Sequence, residues 1–357
     1  MMKGRNGHRL PQAFALQNPA PPTAIGKSRI CMLFPVGTLL FLILLVASSK
    51  RQEPPVLVQD AATVTTKTTS MDSTETSTIV IDNHGGSLMS GKLQGLVEIP
   101  YYHCSSLLET NGETRGPKLP IVHVVLLHGA AFTKENWRES GILADFCRRS
   151  STKTTATETI PFALQVTALD LSVRASADDL RQVLSQVHEQ LGGTVQAEGG
   201  LNQRQDEQIQ QPTGVYTVLV TPSASGAAVV EWIERQQSNR VTNKGRLSDF
   251  VHVWIPVASN SVLDANEQAL QHFNAIPTSQ QNNDSAIVHI LAIYGNRDTR
   301  GRTSMTRLHQ LVGKSSTTST VDLVELPGGH PCYLDSPKQF VQTILDYLVG
   351  QSNTWGS

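Results

Sequence analysis

Six short runs, mostly apolar and rich in β-branched residues, recur along the chain at 122–127, 162–169, 216–220, 250–257, 287–294 and 321–326. Strands with one wet face alternate apolar and polar residues, whereas strands buried on both faces do not, so these runs read as a parallel sheet covered on each side. The covering material lies between them, in amphipathic stretches at 134–148, 177–191, 225–236, 304–312 and 337–348. Ser336-Pro337 opens the last of these with a cap and a proline at the first helical position. Strand and helix alternating in this order predict an α/β fold with a mostly parallel sheet and helices on both faces. Ahead of it, 79–81 and 95–99 read as two short strands of an opening hairpin or meander. Polar insertions at 150–159, 196–211 and 278–283 fall between elements and read as solvated loops.

In an open sheet of this kind ligands sit beyond the carboxyl ends of the strands, and the chain's reactive residues gather there. The first run ends His128-Gly129-Ala130-Ala131. A glycine followed by small residues lets backbone N–H groups turn towards a cavity, as an oxyanion hole requires, and a tight strand-to-helix turn needs the same residues. The third run ends Thr221-Pro222-Ser223-Ala224-Ser225-Gly226 and passes into a helix. A nucleophile elbow has small residues two places either side of the nucleophile and a helix N-terminus behind it. Thr221 is β-branched where glycine usually stands, so Ser223 as nucleophile and a serine-rich turn with Ser225 as helix cap both fit. Asp298 follows the fifth run and His330 the sixth, giving the order Ser223, Asp298, His330, which is that of an α/β-hydrolase triad.

Composition limits the partners. The 29 Lys and Arg balance 30 Asp and Glu, so no excess cation is available to neutralise nucleic-acid phosphates. Four cysteines in 357 residues do not make a disulfide scaffold. The charge is unevenly placed at the N-terminus. Residues 1–29 form a basic arm with no acidic residue, and 30–47 are eighteen uncharged, apolar residues closed by Ser48, Ser49, Lys50 and Arg51. A helix of that length rises about 27 Å, near the thickness of a thin hydrocarbon layer. The segment 30–49 therefore reads as an uncleaved signal-anchor, with a cleaved and secreted form as the rival. Lys3, Arg5 and Arg9 favour a single-pass, type II arrangement with the N-terminus in the cytosol. Eleven of the eighteen residues from 61 to 78 are Ser or Thr, so 50–77 reads as a stalk. The soluble remainder, 78–357, reads as one domain.

The strings HVVLLHGAAFTKENW (123–137), TPSASG (221–226), YGNRDTRGRTS (294–304) and GGHPCYLDSPKQF (328–340) resemble the alpha/beta hydrolase domain-containing protein 14 family, in its membrane-anchored branch. The resemblance spans roughly residues 78 to 350. It implies the α/β-hydrolase fold, with Ser223 as nucleophile, Asp298 as the acid that orients the base, and His330 as the base. It also implies the N–H groups of Ala130 and Ala224 as the oxyanion hole. The family acts on short acyl esters, and one member is associated with transferring acetyl groups from lysine to coenzyme A. A serine hydrolase (carboxylesterase or deacylase) acting on a small acyl ester or an acylated lysine is therefore expected, with no cofactor and no metal. Coenzyme A is a candidate acyl acceptor. A membrane-tethered, catalytically idle interaction module of the same fold is the alternative. Thr221 replaces the family's serine, and the loop 170–174 lacks the usual glycine-rich sequence. Cys332, two residues past His330, resembles a structural neighbour of the site rather than its nucleophile. Cys104 and Cys147 are candidates for a disulfide in an oxidising compartment. Between the fourth and fifth runs 29 residues (258–286) hold one amphipathic stretch, 266–273, too little for a large cap domain.

Overall fold

The computed structural model describes residues 63–64, 78–81, 87–95, 98–105, 119–150, 160–191, 214–238, 245–273, 287–315 and 321–352. The basic arm, the expected anchor at 30–49 and all of the stalk but two residues lie outside the described residues, as do the polar insertions apart from Ser150. No helix among the described residues is long and apolar enough to cross a membrane.

Among the described residues ten strands form a single sheet: β1 (Thr63–Val64), β2 (Thr78–Ile81), β3 (Ser87–Leu93), β4 (Ile99–Ser105), β5 (Ile121–Leu126), β6 (Ala163–Leu169), β7 (Val215–Pro222), β8 (Val253–Val257), β9 (His289–Gly295) and β10 (Val321–Leu326). Their order is β1-β2-β3-β4-β6-β5-β7-β8-β9-β10. The six strands β5 to β10 are parallel, and the first four add antiparallel pairs at one edge. Every residue of β5, β6 and β8 is buried, which is why their sequences carry no alternation.

Helices α1 (Lys134–Glu139), α2 (Ile142–Ser150), α8 (Cys332–Asp335) and α9 (Pro337–Ser352) cover one face, packing Trp137, Phe146, Tyr333 and Phe340 on the sheet. Helices α3 (Ala177–Leu191), α4 (Gly226–Ser238), α5 (Ser261–Asp264), α6 (Glu267–Gln271) and α7 (Thr299–Ser315) cover the other, with Leu184, Trp232, Leu270 and Leu308 inward. This is the α/β-hydrolase architecture.

Four local expectations are corrected. The opening strand is not 95–99: Gly95 lies in a bend, and the pairing falls on β3 and β4 to either side. Within the stalk range, Thr63 and Val64 pair with Val80 and Ile79, β-branched residues on both sides suiting an added edge. The stretch 134–148 is two helices, because Gly141 adopts a positive φ of 79° and ends the first. Between β8 and β9 the stretch 266–273 holds the Asn266-capped α6, and a further short helix, α5, precedes it. No large cap is found among the described residues of that segment; 274–286 lie outside them.

Cys104 of β4 and Cys147 of α2 form a disulfide with Cα atoms 5.8 Å apart. In the sheet interior a polar row interrupts the apolar packing. His103 and His123 both bond Thr167 Oγ1 at 2.8 Å, and His188 bonds Thr217 Oγ1 at 2.6 Å. The backbone N–H of Thr217 donates to His252 Nδ1 at 3.0 Å.

Candidate active site

Strand β7 delivers the first site residue. It runs directly into a 3-10 turn, Ser223–Ser225, and then into α4. So abrupt a reversal puts Ser223 at φ 52°, the left-handed region that costs an L-residue on the order of 1 kcal/mol. The strain is held from two sides. Ser259 Oγ donates to the Ser223 carbonyl at 3.0 Å, and the N–H of Gly226 also reaches that carbonyl. Glycine is required at 226, since a Cβ there would lie 1.9 Å from Ser259 Oγ.

Ser225 does not cap the helix as an acceptor. Its buried hydroxyl donates to the Pro222 carbonyl at 2.9 Å and so closes the turn from inside. Thr221, which stands where a glycine was expected, is fully buried, and its Oγ1 accepts from Trp254 Nε1 at 2.8 Å. The buried Thr221 hydroxyl is thus satisfied by a side-chain partner on β8.

The acid and the histidine arrive on loops stitched together by backbone bonds. After β9, Asn296 N–H donates to Leu326 O at 2.8 Å and Arg297 N–H to Gly328 O at 2.9 Å. The two loops approach so closely that a Cβ on Gly295 would lie 2.0 Å from Gly329 O. Gly328 holds φ 136°, and Asp335 Oδ2 accepts from Gly329 N–H at 2.6 Å, which sets the turn that carries His330. Asp298 has two duties. Its Oδ1 accepts from Gly301 N–H at 2.9 Å at the start of α7, and its Oδ2 accepts from His330 Nδ1 at 2.7 Å.

His330 Nε2 then accepts from Ser223 Oγ at 2.7 Å. The Asp298 side chain is 9% exposed and that of His330 is 39% exposed, so the acid is sheltered and the base can reach solvent. Three residues from three loops, 107 positions apart at the extremes, form one continuous hydrogen-bonded chain.

Of the other expected site residues, Ala130 lies exposed past β5 and Ala224 lies half-buried in the 3-10 turn. The β5 loop is beside the serine, because a Cβ on Gly129 would lie 3.7 Å from Ser223 Cβ. Cys332 is fully buried, and burial pushes its thiol up to about 12, which leaves it protonated and unreactive at neutral pH. No cluster of metal-ligating side chains is found among the described residues. Ser259 was not legible as a site residue. Its only sequence signal is a polar residue just past a strand, a position shared with many loop residues.

No family profile matches the chain. It is 28% identical to protein ABHD14A of Danio rerio over 64% of this chain and 65% of that protein. It is 26% identical to protein ABHD14A of Rattus norvegicus over 73% of this chain and 82% of that protein. It is 27% identical over 37% of its length to 49% of human ABHD14B, whose name carries a provisional protein-lysine deacylase assignment. The chain thus spans 65% and 49% of the first two curated relatives it matches, the Danio rerio and human proteins. Among solved structures it is similar to a fluorophosphonate-binding serine hydrolase of Staphylococcus aureus, with 11% identity over 74% of this chain and 98% of that one and a TM-score of 0.43.

Proposed function

We propose, from the premise that this chain is an ABHD14-like α/β-hydrolase, that it is a serine hydrolase removing short acyl groups from esters or acylated lysine. The observation that carries this reading is the chain of two 2.7 Å hydrogen bonds from Asp298 through His330 to Ser223. In it Asp298 holds the imidazole with its hydrogen on Nδ1, which leaves the Nε2 lone pair facing the serine hydroxyl. Ser223 Oγ attacks the acyl carbonyl as its proton passes to His330 Nε2. The tetrahedral oxyanion is held by the N–H groups of Ala130 and Ala224. Collapse breaks the bond to the leaving group, which takes the proton from His330. Water, or the thiol of coenzyme A, then attacks the acyl-serine by the same steps in reverse, and Ser223 recovers its proton.

Short acyl groups suit the segment between β8 and β9, whose described part holds only two helices of four and five residues. A long acyl chain would need apolar cover worth about 0.8 kcal/mol per methylene, and these helices offer little of it. The residues 30–49 tether the enzyme to a membrane in this reading, with the catalytic domain on the non-cytosolic side. The Cys104–Cys147 disulfide supports that side, since such bonds persist in oxidising compartments.

Labelling with a fluorophosphonate probe tests the nucleophile: the wild type labels and Ser223→Ala does not. Failure of the wild type to label would instead favour an idle interaction module. A series of p-nitrophenyl esters from two to twelve carbons tests the substrate class. A kcat/KM that falls beyond four carbons is expected, and one that climbs past eight would refute the short-acyl assignment.

A further inference from the structure

A second histidine–carboxylate pair stands at the same end of the sheet, outside the chain that ends on Ser223. His128 is the second residue past β5, and Asp170 is the first past β6, the strand beside it. His128 is buried, its side chain 10% exposed, with Nε2 3.2 Å from Asp170 Oδ1 and Nδ1 3.0 Å from the carbonyl oxygen of Gly129. Both ring nitrogens therefore face acceptors. The Gly129 carbonyl also accepts from Phe132 N–H at 3.1 Å, so two donors converge on one oxygen.

That oxygen belongs to the peptide linking Gly129 to Ala130. Among the described residues no peptide bond is cis, and across a trans peptide the carbonyl and the N–H point in opposite directions. Holding the Gly129 oxygen towards His128 and Phe132 therefore fixes the Ala130 N–H to point away from them. The peptide is next to the serine, as the 3.7 Å separation between a Gly129 Cβ and Ser223 Cβ shows. Glycine before the bond eases a flip of this plane, because a flip turns ψ of Gly129 together with φ of Ala130, and Gly129 has no side chain to oppose its share. The His128 bond opposes it.

We infer that His128, oriented by Asp170, is a positioning residue that locks the Gly129–Ala130 peptide with its N–H presented to the oxyanion. The inference rests on Ser223 being the nucleophile of a hydrolase. Its chemistry is electrostatic preorganisation: the donor is aimed before charge develops, so its worth appears in the transition state and not in ground-state binding. Asp170 keeps the ring from rotating, so the ring nitrogen nearest the Gly129 carbonyl stays on it.

Three substitutions separate the two contacts of the ring. His128→Asn places an amide nitrogen near the position of Nδ1 and keeps a donor for the Gly129 carbonyl. His128→Gln places its amide nearer the position of Nε2, towards Asp170, and His128→Ala removes both. With p-nitrophenyl acetate, His128→Ala is expected to lower kcat by about 10²–10³-fold, the cost of losing one oxyanion donor, with KM changed by less than about threefold. His128→Asn recovers most of the loss and His128→Gln does not. Binding of a trifluoromethyl ketone, which adds to the serine to form an oxyanion, weakens in parallel with kcat across the series. Thermal melts of each variant separate an unfolded protein from a misaimed donor, and the contrast of Asn with Gln stands even where Ala does not fold.

If the wild type turns over ester by a Ser223-dependent route and all three variants stay within threefold of it, the inference is overturned and the hydrolase reading survives. Equal losses in Asn, Gln and Ala also overturn it, since they assign His128 to packing alone. If the wild type shows no Ser223-dependent turnover, the hydrolase reading falls and takes this inference with it.

Discussion

His330 and the histidines inside the sheet are the same residue put to opposite uses. His330 sits on a glycine-flanked loop, more than a third exposed, between a carboxylate and a hydroxyl. His103 and His123 are 5% and 0% exposed, and the partner they share is the neutral hydroxyl of Thr167. Burial pushes His103 down to about 4 and holds His123 well below the usual imidazole range. His252 is also brought down to about 4 by burial, and its Nδ1 already accepts a backbone N–H, a role only an unprotonated nitrogen can fill. In the proposed mechanism the carboxylate 2.7 Å away steadies the His330 imidazole while it handles the serine proton, whereas burial disfavours charge on the interior histidines. The lesson is that proximity of an acid, not the presence of histidine, separates a site from a core.

The largest effect that sharpens this contrast is at Asp298. Asp298→Asn removes the charge and favours the wrong tautomer of His330, so kcat is expected to fall by about 10⁴-fold while the melting temperature moves little. A change within tenfold would show that the orienting acid is not Asp298.

Removing the interior cross-link reverses the pattern. A Cys104→Ser, Cys147→Ser double variant releases a loop of 43 residues' separation, which the chain-entropy account values at about 4 kcal/mol of stability. Urea unfolding should show that loss, with kcat of the folded variant unchanged. A parallel fall in kcat would mean that β4 and α2 are coupled to the site.

Acid acts on the interior histidines next. The unfolded chain protonates His103 near its ordinary 6.5, and the folded chain only near 4. Its contribution is therefore complete above about pH 6.5, falls as the pH drops towards 4, and is gone below that. At 1.36 kcal/mol per unit the loss is on the order of 3 kcal/mol. Protonation of both rings also leaves the Thr167 hydroxyl with two donors and no ring acceptor. Urea midpoints taken every half unit from pH 7.5 to 4 should slope downward, and His103→Gln should flatten the slope. Identical slopes in the two proteins would remove His103 from the account.

The smallest effect is at Ser225. Its hydroxyl closes the elbow onto Pro222 and touches no reacting atom, so Ser225→Ala should cost about 1 kcal/mol of stability and less than tenfold in activity. Loss of probe labelling in folded Ser225→Ala would show that the elbow register is misread.

The parallel sheet and the places where chemistry gathers are legible in the residue pattern alone. Buried parallel strands must be largely apolar on both faces, and the turns after them must be small, so β5 to β9 and the loops holding Ser223, Asp298 and His330 are written locally, while β10, the far edge strand, exposes Asp322 and Glu325. The long insertions did not hide this, because they fall between elements. The antiparallel edge was harder to read. β3 carries Ser87, Ser90 and Lys92 among its apolar residues, a pattern that a half-covered strand permits and a loop shares. The pairings between distant residues arise only on assembly: Cys104 with Cys147, Thr221 with Trp254, Ser259 with the Ser223 carbonyl, and His128 with Asp170. Periodicity reports which face a residue occupies, but not which residue of another element meets it there. That depends on strand order and on the loops that β9 and β10 bring within hydrogen-bond reach, and both are fixed only when the sheet assembles.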